Sequence, residues 1–144
     1  MSARCFVDTN ILVYAHDRTG GPKHDRARRL VENLWATGTG VLSTQVLQEL
    51  CVTLRRKVSP PVPLVDVRRL VSDYISWEIV VNTPETTLAA LDLEERYGIS
   101  FWDALVLQSA VSAGVTILYS EDFSAGQKYG SIQVINPLNA SHSD

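Results

Sequence analysis

Strand-length runs that are apolar on both faces recur along this chain: Cys5 to Val7, Val41-Leu42-Ser43, Val115 to Tyr119 and Ile132 to Ile135. A strand without a polar face has to be covered on both sides, which an isolated sheet or a one-sided sheet cannot do. The segments between these runs supply the cover, because their apolar residues return at helical spacing. After Gly20-Gly21-Pro22 the stripe is Ala27, Leu30, Val31, Leu34 and Trp35, ended by Gly38 and Gly40. Ser43 or Thr44 can cap a helix through Val46, Leu47, Leu50, Cys51 and Leu54; Pro60, Pro61 and Pro63 stop it and open another through Leu64, Val67, Leu70, Val71 and Tyr74. Trp77 to Val81 reads as a further strand, Thr83-Pro84 opens a helix that Gly98 ends, and Ser100 opens one that runs to Gly114. Strands alternating with helices predict an α/β fold: a three-layer α/β/α sandwich around a mainly parallel sheet of about five strands.

At 144 residues and 45% hydrophobic content, the chain can bury a core without staples, and we expect a single domain over residues 1–138 with a polar tail over 139–144. No apolar run approaches membrane-spanning length and no signal-like start is visible, so a cytoplasmic protein is expected. Cys5 and Cys51 read as small buried hydrophobes. The net charge of −3 argues against a wholesale basic nucleic-acid binder, but the cations are clustered. Lys23, Arg26, Arg28 and Arg29 form one group, Arg55-Arg56-Lys57 and Arg68-Arg69 two more. A solvated helix face explains any one of them; together they could supply phosphate contacts.

The acids carry the functional signal. Asp8 interrupts an apolar run where the first strand ends, as either a helix cap or a site carboxylate. Glu49 points away from the stripe of its helix, as an ordinary exposed glutamate also would. Asp103 is the third helical residue after Ser100, the place of a capping-box acid. Glu121-Asp122 follows Ser120 at the end of a strand, where turn residues are common. Asp8 and Asp122 share an address, the carboxyl end of parallel strands, where ligands of open α/β sheets bind, and Asp103 opens the helix leading to one of those strands. Crowded carboxylates repel unless a cation neutralises them, and oxygen-only ligands suit Mg²⁺ or Mn²⁺. His16, His24 and His142 have no partners at metal spacing, and Ser43, Ser100 and Ser120 stand in no nucleophile-elbow context.

With these residues in view, the chain resembles the PIN-domain ribonucleases, in particular the VapC-like toxins of type II toxin–antitoxin pairs. The matching stretches are FVDTNILVYAHD at Phe6–Asp17, LSTQVLQEL at Leu42–Leu50, GISFWDALVLQSAVSAG at Gly98–Gly114 and LYSEDF at Leu118–Phe123. The resemblance implies a PIN-like fold, with Asp8, Glu49, Asp103 and Asp122 as the catalytic and metal-holding acids around Mg²⁺ or Mn²⁺, and Asn10 and Ser120 supporting them. It implies endoribonuclease activity by in-line attack of hydroxide on phosphorus, leaving a 5′-phosphate and a 3′-hydroxyl. It also implies a homodimer and a small antitoxin partner that blocks the cleft. Lys23, Arg26, Arg28 and Arg29 are the expected RNA-facing surface, and single-stranded or looped RNA the expected substrate. The place of Glu121 varies in the family motif, which leaves it as an auxiliary.

Two other readings compete. Asp8-Thr9-Asn10 followed by apolar residues is similar to the opening motif of haloacid-dehalogenase phosphatases, but those need a second aspartate where Asn10 stands. A non-catalytic PIN-like binding module is the other, against which the complete set of acids weighs.

Overall fold

The computed structural model describes residues 3–123 and 126–139. Of the expected polar tail, residues 140–144 and with them His142 lie outside the described residues. Six strands form one sheet: β1 (Cys5–Val7), β2 (Gly40–Ser43), β3 (Glu78–Val80), β4 (Ile117–Tyr119), β5 (Lys128–Tyr129) and β6 (Ile132–Ile135), in the order β3-β2-β1-β4-β6-β5. All pairings are parallel except that of β5 with β6. Six α-helices connect them: α1 (Thr9–His16), α2 (Pro22–Thr37), α3 (Thr44–Arg56), α4 (Leu64–Tyr74), α5 (Pro84–Tyr97) and α6 (Phe101–Ala113). The α/β architecture with a mainly parallel sheet is the one the apolar runs predict.

β1 is the centre of the molecule. Its Cys5, Phe6 and Val7 are all buried, and it pairs on one side with β2 and on the other with β4. The chain leaves β1 toward β2 and β3, then crosses back through α5 and α6 to β4 on the far side. Right-handed crossovers place α1 to α4 over one face and α5 with α6 over the other. Accordingly α1 packs on α2 and α3, α3 on α4, and α5 on α6. The reversal of direction opens a crevice at the carboxyl ends of β1 and β4, the switch point where an open α/β sheet presents its ligand site.

Three details differ from expectation. β5 has only two residues, one of them the exposed Lys128, so no apolar run announced it. Trp77 precedes β3 instead of starting it, buried with Tyr74 and half-exposed Trp35 in a tilted aromatic cluster. Gly40, expected only to end a helix, is the first residue of β2, and a Cβ there would lie 2.3 Å from the Trp77 ring. The sheet and this indole approach so closely that only glycine fits. Among the described residues no helix is long and apolar enough to cross a membrane.

Candidate active site

Asp8 stands between β1 and α1. Its backbone N–H extends the sheet by donating to the Tyr119 carbonyl at 2.9 Å, so the end of β1 is pinned to the end of β4. α1 begins immediately, at Thr9, with Asp8 as its N-cap residue. The cap is unusual in that Asp8 Oδ1 accepts from the N–H of Thr9 at 2.7 Å, not from the second or third helical N–H. The other oxygen, Oδ2, accepts from the Ser120 hydroxyl at 2.7 Å. Cap and site are thus one arrangement. The carboxylate is only 4% exposed, and burial pushes its pKa up to about 7. The Ser120 and Thr9 bonds pull against that rise, and the nearby charges of Asp122 and Glu49 add to it.

Ser120 is fully buried just past β4 and does two jobs, since its oxygen also accepts from the Asp122 N–H at 3.1 Å. Asn10 Oδ1 accepts from the Glu121 N–H at 3.3 Å, tying the same loop to the first turn of α1. The Asn10 amide nitrogen is buried with no partner among the described residues, a donor with nothing to give to. Glu121, which borders the same cleft, pairs its carboxylate with Lys23 Nζ at 2.5 Å.

Glu49 answers the question that helical periodicity left open. It lies on α3, half-buried, and Oε1 accepts from the Thr9 hydroxyl at 2.7 Å while Oε2 accepts from Gln45 at 3.3 Å. It faces the cleft, not bulk solvent. Thr9 and Gln45 were not singled out from the sequence; the i to i+4 spacing of Gln45 and Glu49 was the available signal for one of them. Asp103 sits in the first turn of α6, where Ser100 Oγ accepts from its N–H at 3.1 Å. This is half of a capping box. In α5, by contrast, Thr83 and Thr86 complete both reciprocal bonds. Asp103 is partly buried and is not among the residues that line the cleft with Asp8, Glu49 and Asp122, though it lies close enough to feel the charges of the last two. Burial pushes its pKa up, the Ser100 hydroxyl pulls it back, and Asp122 and Glu49 push it up again.

The acids therefore sense one another: Asp122 and Glu49 each act on both Asp8 and Asp103. Asp8, Asn10, Glu49 and Asp122 line a cleft of about 710 Å³ that runs between α1 and α3. Of the expected RNA-facing cations only Lys23 comes near it, held by Glu121. Arg26 donates to the Leu138 carbonyl at 3.3 Å, Arg28 pairs with Glu32 at 3.0 Å, and Arg29 is exposed.

The donor set is all oxygen, with lone pairs left on both Asp8 oxygens, which fits a hard divalent ion. Among the described residues no three such side chains are gathered as they stand into a metal-holding group. Asp8 is tied in place; Asp122 is exposed, and Glu49 and Asp103 are only partly buried. An ion would draw these toward Asp8.

A family model described as the PIN domain matches residues 5–128. The chain belongs to the PIN-domain family. No curated protein matches the sequence significantly. Among solved structures, this PIN domain is similar to VapC20 of Mycobacterium tuberculosis, a sarcin-ricin-loop-cleaving toxin. The TM-score is 0.66 at 22% identity, over 87% of this chain and 96% of that one. It is also similar to a chain of a toxin–antitoxin complex from Klebsiella pneumoniae, with TM-score 0.68 at 17% identity over 92% and 97% of the two chains. A third is VapBC2 from Rickettsia felis bound to a DNA fragment from their promoter, with TM-score 0.59 at 20% identity over 90% and 96%. At these identities the likeness is one of fold.

Proposed function

We propose that this PIN domain is an endoribonuclease dependent on Mg²⁺ or Mn²⁺, and the toxin of a type II toxin–antitoxin pair. The observation that carries the reading is Asp8: a buried carboxylate, bonded on both oxygens, at the switch point of the sheet, with Glu49 and Asp122 charges beside it. A protein gains nothing in stability by burying an anion next to other anions, and a cation makes the arrangement favourable.

In this reading Asp8 is the fixed ligand and Asp103, Asp122 and Glu49 complete the site. Ser120 and Thr9 hold the Asp8 carboxylate in one orientation, and Thr9 with Gln45 aims Glu49 at the same point. The divalent ion, when bound, supplies the positive charge that favours hydroxide over water and stabilises the departing oxygen. The overall step adds water across the P–O3′ bond: the water oxygen joins phosphorus, the 3′ oxygen leaves with a proton, and a 5′-phosphate remains. The free Asn10 amide donor is available to an oxygen of the phosphate or of a bound water. RNA as substrate, a homodimer and a cleft-blocking antitoxin are parts of the same proposal. The likeness to a chain of the Klebsiella pneumoniae toxin–antitoxin complex supports the antitoxin.

The test is cleavage of total cellular RNA by the purified protein with Mg²⁺ or Mn²⁺ and with EDTA, beside an identically purified Asp8→Asn variant. Discrete cuts that need the metal and vanish in the variant are expected. Cuts of equal strength from both proteins would reject the assignment. Expression in a bacterial host tests the toxin role: growth arrest by the wild type and none by Asp8→Asn is expected.

A further inference from the structure

The cleft does not end at the acids. It continues between α1 and α3, with Val13 and Tyr14 on one wall and Val52 and Thr53 on the other, and reaches Lys57 at the far end. We propose that Lys57 grips a phosphate of the RNA strand remote from the bond that is cut, so that the strand lies along this groove from the acidic centre to the end of α3. The proposal rests on the ribonuclease reading above and adds the path of the substrate to it.

Charge is the first reason. Among the described residues that line the cleft, Lys57 is the one cation. It forms no ion pair among the described residues, whereas Arg4, Lys23, Arg28 and Arg69 are each engaged by a carboxylate. An unneutralised ammonium beside a groove that begins at several carboxylates is what a polyanion needs in order to approach such a centre at all. Stabilisation of the helix C-terminus does not require it, since Arg55 and Arg56 already sit in the last turn of α3.

Position is the second reason. Lys57 is the C-cap residue of α3; its N–H donates to the Thr53 carbonyl at 2.8 Å, and the next residue, Val58, is buried. Its backbone is therefore fixed with respect to Glu49, eight positions earlier on the same helix. At about 1.5 Å per residue that separation is about 12 Å along the axis, a little over two turns of helix between the two backbones. Lys57 serves a different phosphate. The walls between them mix apolar Val13, Tyr14 and Val52 with polar Gln48, Thr53 and Asp17, and Tyr14 offers an aromatic ring for a base of a single strand, with Lys23 Nζ at 5.2 Å from its centroid.

The experiment measures binding apart from cleavage. A labelled single-stranded RNA of mixed sequence is titrated with Asp8→Asn protein in Mg²⁺, over roughly 50 to 200 mM salt, with and without Lys57→Gln. Lys57→Gln is expected to weaken binding several-fold at low salt and to reduce the slope of log affinity against log salt by about 0.7, one phosphate contact on a single strand. Lys57→Arg should restore the slope. Arg4→Gln, which removes the same charge from a site paired with Glu78 on β3, should leave it unchanged. An unchanged slope in Lys57→Gln, or an equal loss in Arg4→Gln, overturns the proposal. Cleavage by the wild type is scored separately. If no RNA is cut but the Lys57 slope change is present, the ribonuclease reading fails while the groove still binds RNA.

Discussion

The carboxylates of the acidic centre are held differently. Asp8, between β1 and α1, is buried, carries a hydrogen bond on each oxygen, and is locked to the sheet through Tyr119 and Ser120. Asp103, in the first turn of α6, and Asp122, in the loop after β4, keep solvent contact: Asp122 is tied to Ser120 through its backbone N–H, and Asp103 uses its own N–H for the cap. One carboxylate is set by folding and the others are left freer to answer a ligand. The difference teaches where the cost of the site lies. It lies in Asp8, whose charge the fold must tolerate whether or not a cation is present.

The sharpest way to break this contrast is Asp8→Asn. We expect cleavage to fall on the order of a thousandfold, the worth of several kcal/mol of charge stabilisation. The metal-free protein should at the same time become more stable at pH 8. Asp8 has its folded pKa raised to about 7 from 3.8, so the folded state holds more protons than the unfolded one between those values. Its contribution to stability therefore falls as pH rises through that window, and above about 7 the full cost of the buried anion is felt. A rise in melting temperature at pH 8 that shrinks toward pH 4 checks it, and Asp122→Asn, which removes only a neighbouring charge from an exposed position, should show a smaller rise.

Ser120→Ala comes next, because it leaves Asp8 without one donor and the Asp122 N–H without its acceptor. A loss of about 1–3 kcal/mol in urea unfolding and a metal affinity lower by roughly 10- to 100-fold are expected. Thr9→Val releases Glu49 Oε1 and should lower metal affinity less than Ser120→Ala, with stability changed by less than about 1.5 kcal/mol. Ser100→Ala is the smallest: loss of the α6 cap should cost about 1 kcal/mol of stability and leave the pH dependence of Asp8 intact.

Asp8 was legible in the sequence because a charge inside an apolar run has few explanations. The strands and helices were legible because a doubly covered sheet writes its strands as continuous apolar runs. Glu49 was not, since a residue facing a cleft and one facing solvent have the same periodicity; only the order of motifs marked it. Its partner Thr9 is 40 positions away, a pairing no local pattern reveals. Of the four cations of α2, Lys23, Arg26 and Arg29 fall within about 120° of the helix circumference at about 100° per residue and Arg28 lies apart, and their partners differ: Glu121, the Leu138 carbonyl and, for Arg28, Glu32. Lys57 belonged to another such cluster, and only the course of the cleft separates it from Arg55 and Arg56.

Calorimetric titration of the purified protein with Mn²⁺ at pH 7.5, beside Asp8→Asn, tests most directly whether the buried Asp8 charge is there to hold a cation. Saturable binding by the wild type that weakens below about pH 7, as Asp8 takes up its proton, and is lost in the variant is the predicted result. Equal binding by the two proteins, or none by the wild type, would contradict it.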